Sequence, residues 1–229
     1  MRYVMWIVAL LALAGGMALA GENGRLTVTG EGRVVSAPDM ATVRFGVTVR
    51  EKTAGAALGA ASRAMEKVLA RVKDAGIAPR DIRTDALSLS PLWSERGSGQ
   101  ARRITGYVAR NQLTVRVREL SSLGGLLDAV AASGVNTFNG LSFALSEPGP
   151  ALDEARRRAV ADAIARARLY AEAAGVTLGP LLELSETGGF APPIGVRKMA
   201  MAPESVPVAE GELVVSAGVT MVFAIGRAR

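Results

Sequence analysis

No histidine and no cysteine occurs among the 229 residues. That removes imidazole bases, Ser–His and Cys–His nucleophiles, and Cys/His metal sites at once. Any chemistry left would fall to carboxylates, lysine, serine or tyrosine. Asp81 and Asp85 are the acids nearest to a pair. Two carboxylates hydrolyse a bond only when they converge on it, and a strand-like spacer does not show convergence. Lys52, Lys67, Lys73 and Lys198 stand in exposed contexts that mark none of them as a desolvated base. Met199 and Met201 could meet a soft metal or an oxidant. Two methionines in loop-like sequence are a slight basis for a site, so the reading is no cofactor and no metal.

Arginine is the remaining candidate. Arg96, Arg102, Arg103 and Arg110 surround the glycine-rich stretch Trp93–Arg103, which reads as a hairpin tip. Grouped there, they could hold an anionic partner by charge. The formal charge is +6, or +5 once Arg2 is set aside with the leader described below. Acid-then-base pairs four apart, Asp153–Arg157, Glu154–Arg158 and Asp162–Arg166, point instead to a solvated, self-paired helix face. Basic residues without aromatic interleaving exclude a nucleic-acid reading. Arg156 falls on the apolar stripe of that helix, where it either snorkels at the helix end or meets a buried carboxylate or a partner subunit.

The elements that must carry these residues follow from periodicity. Leu26–Val35 alternates and then carries Gly30 and Gly32, which reads as a strand with a bulge or bend. Ala41–Glu51 alternates cleanly, with Val43, Phe45, Val47 and Val49 on one side and Thr42, Arg44, Thr48 and Arg50 on the other. One wet face and one dry face predict an antiparallel sheet covered on one side. Thr53 caps a helix running to Ala75 and stopped by Gly76. Strands are expected at Ile82–Leu92, Ile104–Arg118, Phe138–Leu145, Leu181–Glu186 and Glu212–Ile225. A short helix over Leu120–Ala132 is capped by Ser121 or Ser122. The longest helix lies within Ala151–Gly179, with Leu152, Val160, Ala163, Ile164, Ala167, Ala171 and Ala174 as its stripe and Gly175 as its stop. Thr187–Gly211, with Pro192, Pro193, Pro203 and Pro207, reads as a poorly ordered loop. Two helix-to-strand units share an outline, which a duplication or common helix-stop chemistry would both explain.

Residues 1–20 combine Arg2, the apolar run Val4–Ala14 and the small-x-small site Ala18-Leu19-Ala20. This is the pattern of a cleaved signal peptide, with a retained anchor as the rival.

The chain resembles the SIMPL-domain (DUF541) family in its periplasmic branch of oxidative stress defence and immunogenic proteins. The resemblance rests on Thr27–Gly32, Ala37–Ala41, Asp81–Thr84, Gly106–Asn111, Ala174–Gly179 and Gly211–Leu213. It implies an α+β fold of antiparallel sheets packed against helices, in two intertwined subdomains, one of them ferredoxin-like. Residues 21–103 with 208–229 would form the first, 104–186 the ferredoxin-like β-α-β-α-β unit, and 187–207 a flexible loop. It also implies a periplasmic or envelope location, a stress-linked role and self-association, and it brings no catalytic residues. Three functions follow as expectations. They are a non-enzymatic, self-assembling envelope protein, a binding module for an anionic envelope lipid or glycan through the four arginines, and a carboxylate hydrolase.

Overall fold

The computed structural model describes residues 24–94, 101–187, 194–196 and 208–227. The leader, Arg96, Lys198, Met199 and Met201 lie outside the described residues, as does most of the proline-rich segment. No described helix is long and apolar enough to cross a membrane.

The fold is α+β, with two antiparallel sheets and three α-helices among the described residues. The strands are β1 (Gly24–Ser36), β2 (Met40–Glu51), β3 (Ile82–Trp93), β4 (Ile104–Val117), β5 (Thr137–Ala144), β6 (Val176–Thr187), β7 (Ile194–Val196) and β8 (Glu212–Arg227). The helices are α1 (Ala54–Asp74), α2 (Leu123–Ala132) and α3 (Gly149–Ala173). One sheet has the order β3-β4-β2-β5. The other has the order β1-β8-β6, with β7 on the start of β8.

The first sheet, with α1 and α2, is the chain order β2-α1-β3-β4-α2-β5, a split β-α-β arrangement of the ferredoxin-like kind. It spans 40–144. The sequence reading breaks the chain at Ile104 and starts the ferredoxin-like unit there, but β4 pairs with both β3 and β2. The hairpin that crosses the expected boundary therefore belongs to one sheet. The second sheet gathers β1, β6, β7 and β8 around α3, so the two ends of the described chain close one layer.

Alternation decides the first core. Val43, Phe45 and Val47 of β2, Leu113 and Val115 of β4, Ala57, Ala61, Met65, Val68 and Val72 of α1, and Leu126 and Val130 of α2 are all buried together. Thr53 caps α1 by accepting a hydrogen bond from the Ala56 amide at 3.3 Å. The expected serine cap of α2 is absent. A 3₁₀ turn at Leu120–Ser122 precedes the helix, and the Ser122 hydroxyl instead donates to the Glu119 carbonyl at 2.8 Å.

The second core is made of small residues. The buried row of α3 is Ala155, Ala159, Ala163, Ala167 and Ala171, spaced by four. Ala163, Ala167 and Ala171 of the expected stripe are in this row, Leu152, Val160 and Ile164 lie half-buried beside it and Ala174 is exposed, while Ala155 and Ala159 complete the row instead. The reason is in β1. A Cβ on Gly30 would strike the Ala159 carbonyl, and one on Gly32 the Ala155 carbonyl. These glycines create no bulge, since β1 runs in unbroken register with β8 from Gly24↔Ile225 to Ser36↔Leu213. They let the helix backbone lie on the strand, and the alanines follow from that approach.

Candidate functional site

Helices cover the inner strands and leave parts of both sheets bare. In the first sheet, the side facing α1 and α2 holds Ala109, Leu113 and Val115 of β4. Leu89 pairs with Ala109 and Leu87 with Asn111, so both leucines point to that same side. They are nonetheless 42% and 58% exposed, because β3 is the sheet's edge and no helix reaches it fully.

The second sheet repeats the situation. Leu181 pairs with Phe223 and Leu184 with Met221, both partners packed under α3. On the edge strand β6 these leucines are 45% and 49% exposed. Arg156 of α3 does not snorkel. Its Nε donates to Glu186 of β6 and its Nη1 to Asp153, each at 3.0 Å. That bridge ties the helix to the end of β6 and rims a cleft of about 650 Å³ lined also by Thr29, Thr187 and Ser216.

The other two edges are blunted. β1 sets Arg25, Thr27, Thr29, Glu31 and Arg33 outward, and polar edges discourage pairing. β5 has only eight residues and carries Gly140 at φ +134°, where its register against β2 shifts.

Of the sequence-predicted arginines, Arg96 lies outside the described residues, and Arg110 stands apart from Arg102 and Arg103. Arg102 lies over the Trp93 ring, 5.9 Å from its centre. The Arg103 amide donates to the Ser94 hydroxyl at 3.1 Å and its carbonyl accepts from the Ser94 amide at 2.8 Å, closing the base of the tip. Arg110 sits further down β4, opposite Ser88 and Thr48, on the side away from the helices. Its neighbours there are Arg44, Arg50 and Arg116, which were not singled out from sequence. The signal was present. Arg44 and Arg50 fall on the wet side of the β2 alternation, and Arg110 and Arg116 repeat it on β4.

The acids are occupied by arginine. Asp81 is 5% exposed and accepts from Arg118 twice, at 2.9 Å from Nε and 2.8 Å from Nη2. That bonding holds its carboxyl below the usual carboxylate range, although burial pulls the other way. Asp85 is bound by Arg83 at 3.0 Å. The Asp39 carboxylate is also lowered, chiefly by the Ser146 hydroxyl at 2.7 Å, with the Ser146 amide at 2.6 Å. It pins the turn before β2 to the chain after β5. Asp81 and Asp39 thus serve as clasps between elements. Among the described residues no group of three or more acids gathers to hold a metal ion.

Comparison with known proteins identifies the family. The profile described as SIMPL, protein of unknown function (DUF541), matches residues 26–223. A 26 kDa periplasmic immunogenic protein of Brucella melitensis biotype 1 is 38% identical over 227 residues, covering 95% of this chain and 91% of the relative. An uncharacterized protein YggE of Edwardsiella ictaluri is 29% identical, over 90% of this chain and 88% of its own. The YggE of Escherichia coli K12 is 27% identical, over 91% and 85%. With the match running from within β1 to within β8, and so through both sheets, this chain belongs to the SIMPL family.

Proposed function

We propose that this chain is a non-enzymatic protein of the periplasm that assembles with copies of itself through the bare edges of β3 and β6, in the service of envelope or oxidative stress defence. The observation that supports it most is the pairing of two uncovered leucine edges in one molecule. β3 and β6 each have 12 residues. β3 runs in undisturbed register from Ala86 to Ser90 before Pro91, and β6 from Glu183 to Thr187. Both sets of leucines lie on the helix side of their sheets. Joining β3 of one copy to β6 of the next would extend the sheet with all helices on one side, and would cover Leu87, Leu89, Leu181 and Leu184 together. The charges also complement, with Arg103 beside one edge and Glu183 on the other.

Each contact would remove the exposed halves of four leucines from water, roughly 4 kcal/mol in all. That is comparable with the cost of association. Because the two edges differ, every copy can use both, and the contact generates a ring if it closes and a filament if it does not. The periplasmic location is supported by the Brucella relatives, which are named as periplasmic. The stress role rests on the family resemblance, and loss of peroxide survival in a deletion strain tests it.

Light scattering on the mature chain at micromolar concentration tests the assembly. The expected mass is a multiple of the single chain, falling to one chain in the Leu87→Lys/Leu184→Lys double variant. A single-chain mass for the unaltered protein would end this reading.

A further inference from the structure

The side of the first sheet away from its helices carries arginine and no counter-charge. Arg44 and Arg50 of β2 and Arg110 and Arg116 of β4 all point there and are exposed. Register sets them in two diagonal pairs. Arg44 faces Thr114, two residues from Arg116, and Arg50 faces Val108, two residues from Arg110. Diagonal neighbours of this kind lie about 7–8 Å apart, and like charges so placed repel. Six residues of strand separate the members on each chain, so the stripe is roughly 20 Å long.

Among the described residues none of these four has an ion-pair partner, whereas ten ion pairs occur elsewhere. No carboxylate stands on this side of β2 or β4. Arg83, on the same side of β3, is already bound by Asp85. Asp81 attracts Arg116 through space, ranked below its interactions with Arg118 and Arg80, and both of its oxygens are bonded by Arg118. The stems of Arg44 and Arg50 flank positions whose occupants, Thr114 and Val108, are buried within an otherwise open surface. The aliphatic parts thus lie along the sheet while the guanidinium groups reach water.

At the far end of the same hairpin stand Trp93 and Ile104, 48% and 47% exposed, with Arg102 over the indole. Tryptophan with an aliphatic neighbour and arginines is the combination found where protein meets the headgroup layer of a bilayer. Guanidinium forks match phosphate oxygens in pairs.

We infer that this arginine stripe, continued by Trp93 and Ile104, is a docking surface for an anionic phospholipid layer. The charge complementarity and these two apolar side chains together select a lipid surface over a soluble polyanion, which offers nothing for them to enter. This inference is independent of self-assembly, since it uses the outer side of the sheet and leaves the edge leucines alone.

The test is sedimentation of the mature chain with vesicles. Binding is expected to phosphatidylglycerol mixed with phosphatidylcholine, and not to phosphatidylcholine alone. It should weaken as salt is raised. The Arg44→Gln/Arg110→Gln variant should partition about 30-fold less, since each basic residue near such a surface counts for about a fivefold step. The Arg63→Gln/Lys67→Gln variant on α1 removes the same charge from another face and should bind as before. Trp93→Ala should reduce binding with the salt dependence intact. An equal loss in both double variants would assign the binding to net charge and overturn the proposal. So would polyphosphate binding without vesicle binding, or an unchanged partition for Arg44→Gln/Arg110→Gln with its fold intact by circular dichroism.

Discussion

Asp81, one of the two acids nearest to a pair in the sequence, is a structural clasp in space. Its two oxygens each receive a hydrogen bond from Arg118, and its side chain is almost wholly buried. Replacing it with alanine leaves Arg118 without its acceptor and should cost about 2 kcal/mol. Thermal denaturation at neutral pH should show the midpoint down by about 6 °C. The same bond sets a pH dependence. The folded-state pKa of Asp81 is lowered, so its contribution is complete above the unfolded value of about 3.9 and is lost as pH falls through the folded value. Asp39, lowered by Ser146, adds to the same acid limb. Melting curves between neutral pH and about pH 2.5 should therefore fall steeply below about pH 4, and less steeply in Asp81→Asn. Neither clasp was legible in the sequence, because Arg118 lies 37 positions from Asp81 and Ser146 lies 107 from Asp39. What was legible was the negative part, since a chain without histidine and cysteine narrows its own chemistry.

At the scale of elements, local pattern carried most of the fold. The strict alternation of β2 and β4 and the glycine stops at Gly76, Gly134 and Gly175, all at positive φ, placed strands and helix ends close to where they stand. Pairing was not carried by pattern. The break expected at Ile104 failed because strands 82–93 and 104–117 look alike whether they join one sheet or two, and only their partners decide. The role of Gly30 and Gly32 was missed for a related reason, as nothing near them in sequence announces a helix from residues 149–173. Their substitution separates the two readings of that motif. Gly30→Ala or Gly32→Ala must push α3 off β1 and should cost about 2–4 kcal/mol in urea unfolding. Gly59→Ala, inside α1 with only the flexible Arg63 side chain near it, should instead stabilise by about 0.7 kcal/mol. Equal effects at the two sites would contradict the close packing of α3.

For the whole molecule, the division of labour follows from which faces the helices leave open. Three helices cannot cover two four-stranded sheets, so β3 and β6 keep bare leucines and the outer side of the first sheet stays wet. Hydrophobicity alone could not reveal this, because nothing in the sequence around Leu87 and Leu184 sets them apart from buried leucines. Two double variants place the open faces in separate roles. Leu87→Lys/Leu184→Lys should abolish assembly and spare vesicle binding by single chains, while Arg44→Gln/Arg110→Gln should do the reverse. Loss of both properties in either variant would show that the two surfaces are not independent.

The most direct measurement is amide hydrogen exchange across the two edges as a function of protein concentration. The amides within 86–90 and 183–187 that point away from β4 and β8 should exchange freely at high dilution and become protected together as the concentration rises, with the polar edge of β1 unchanged. Exchange at those two edges that stays fast and indifferent to concentration would contradict strand-to-strand assembly.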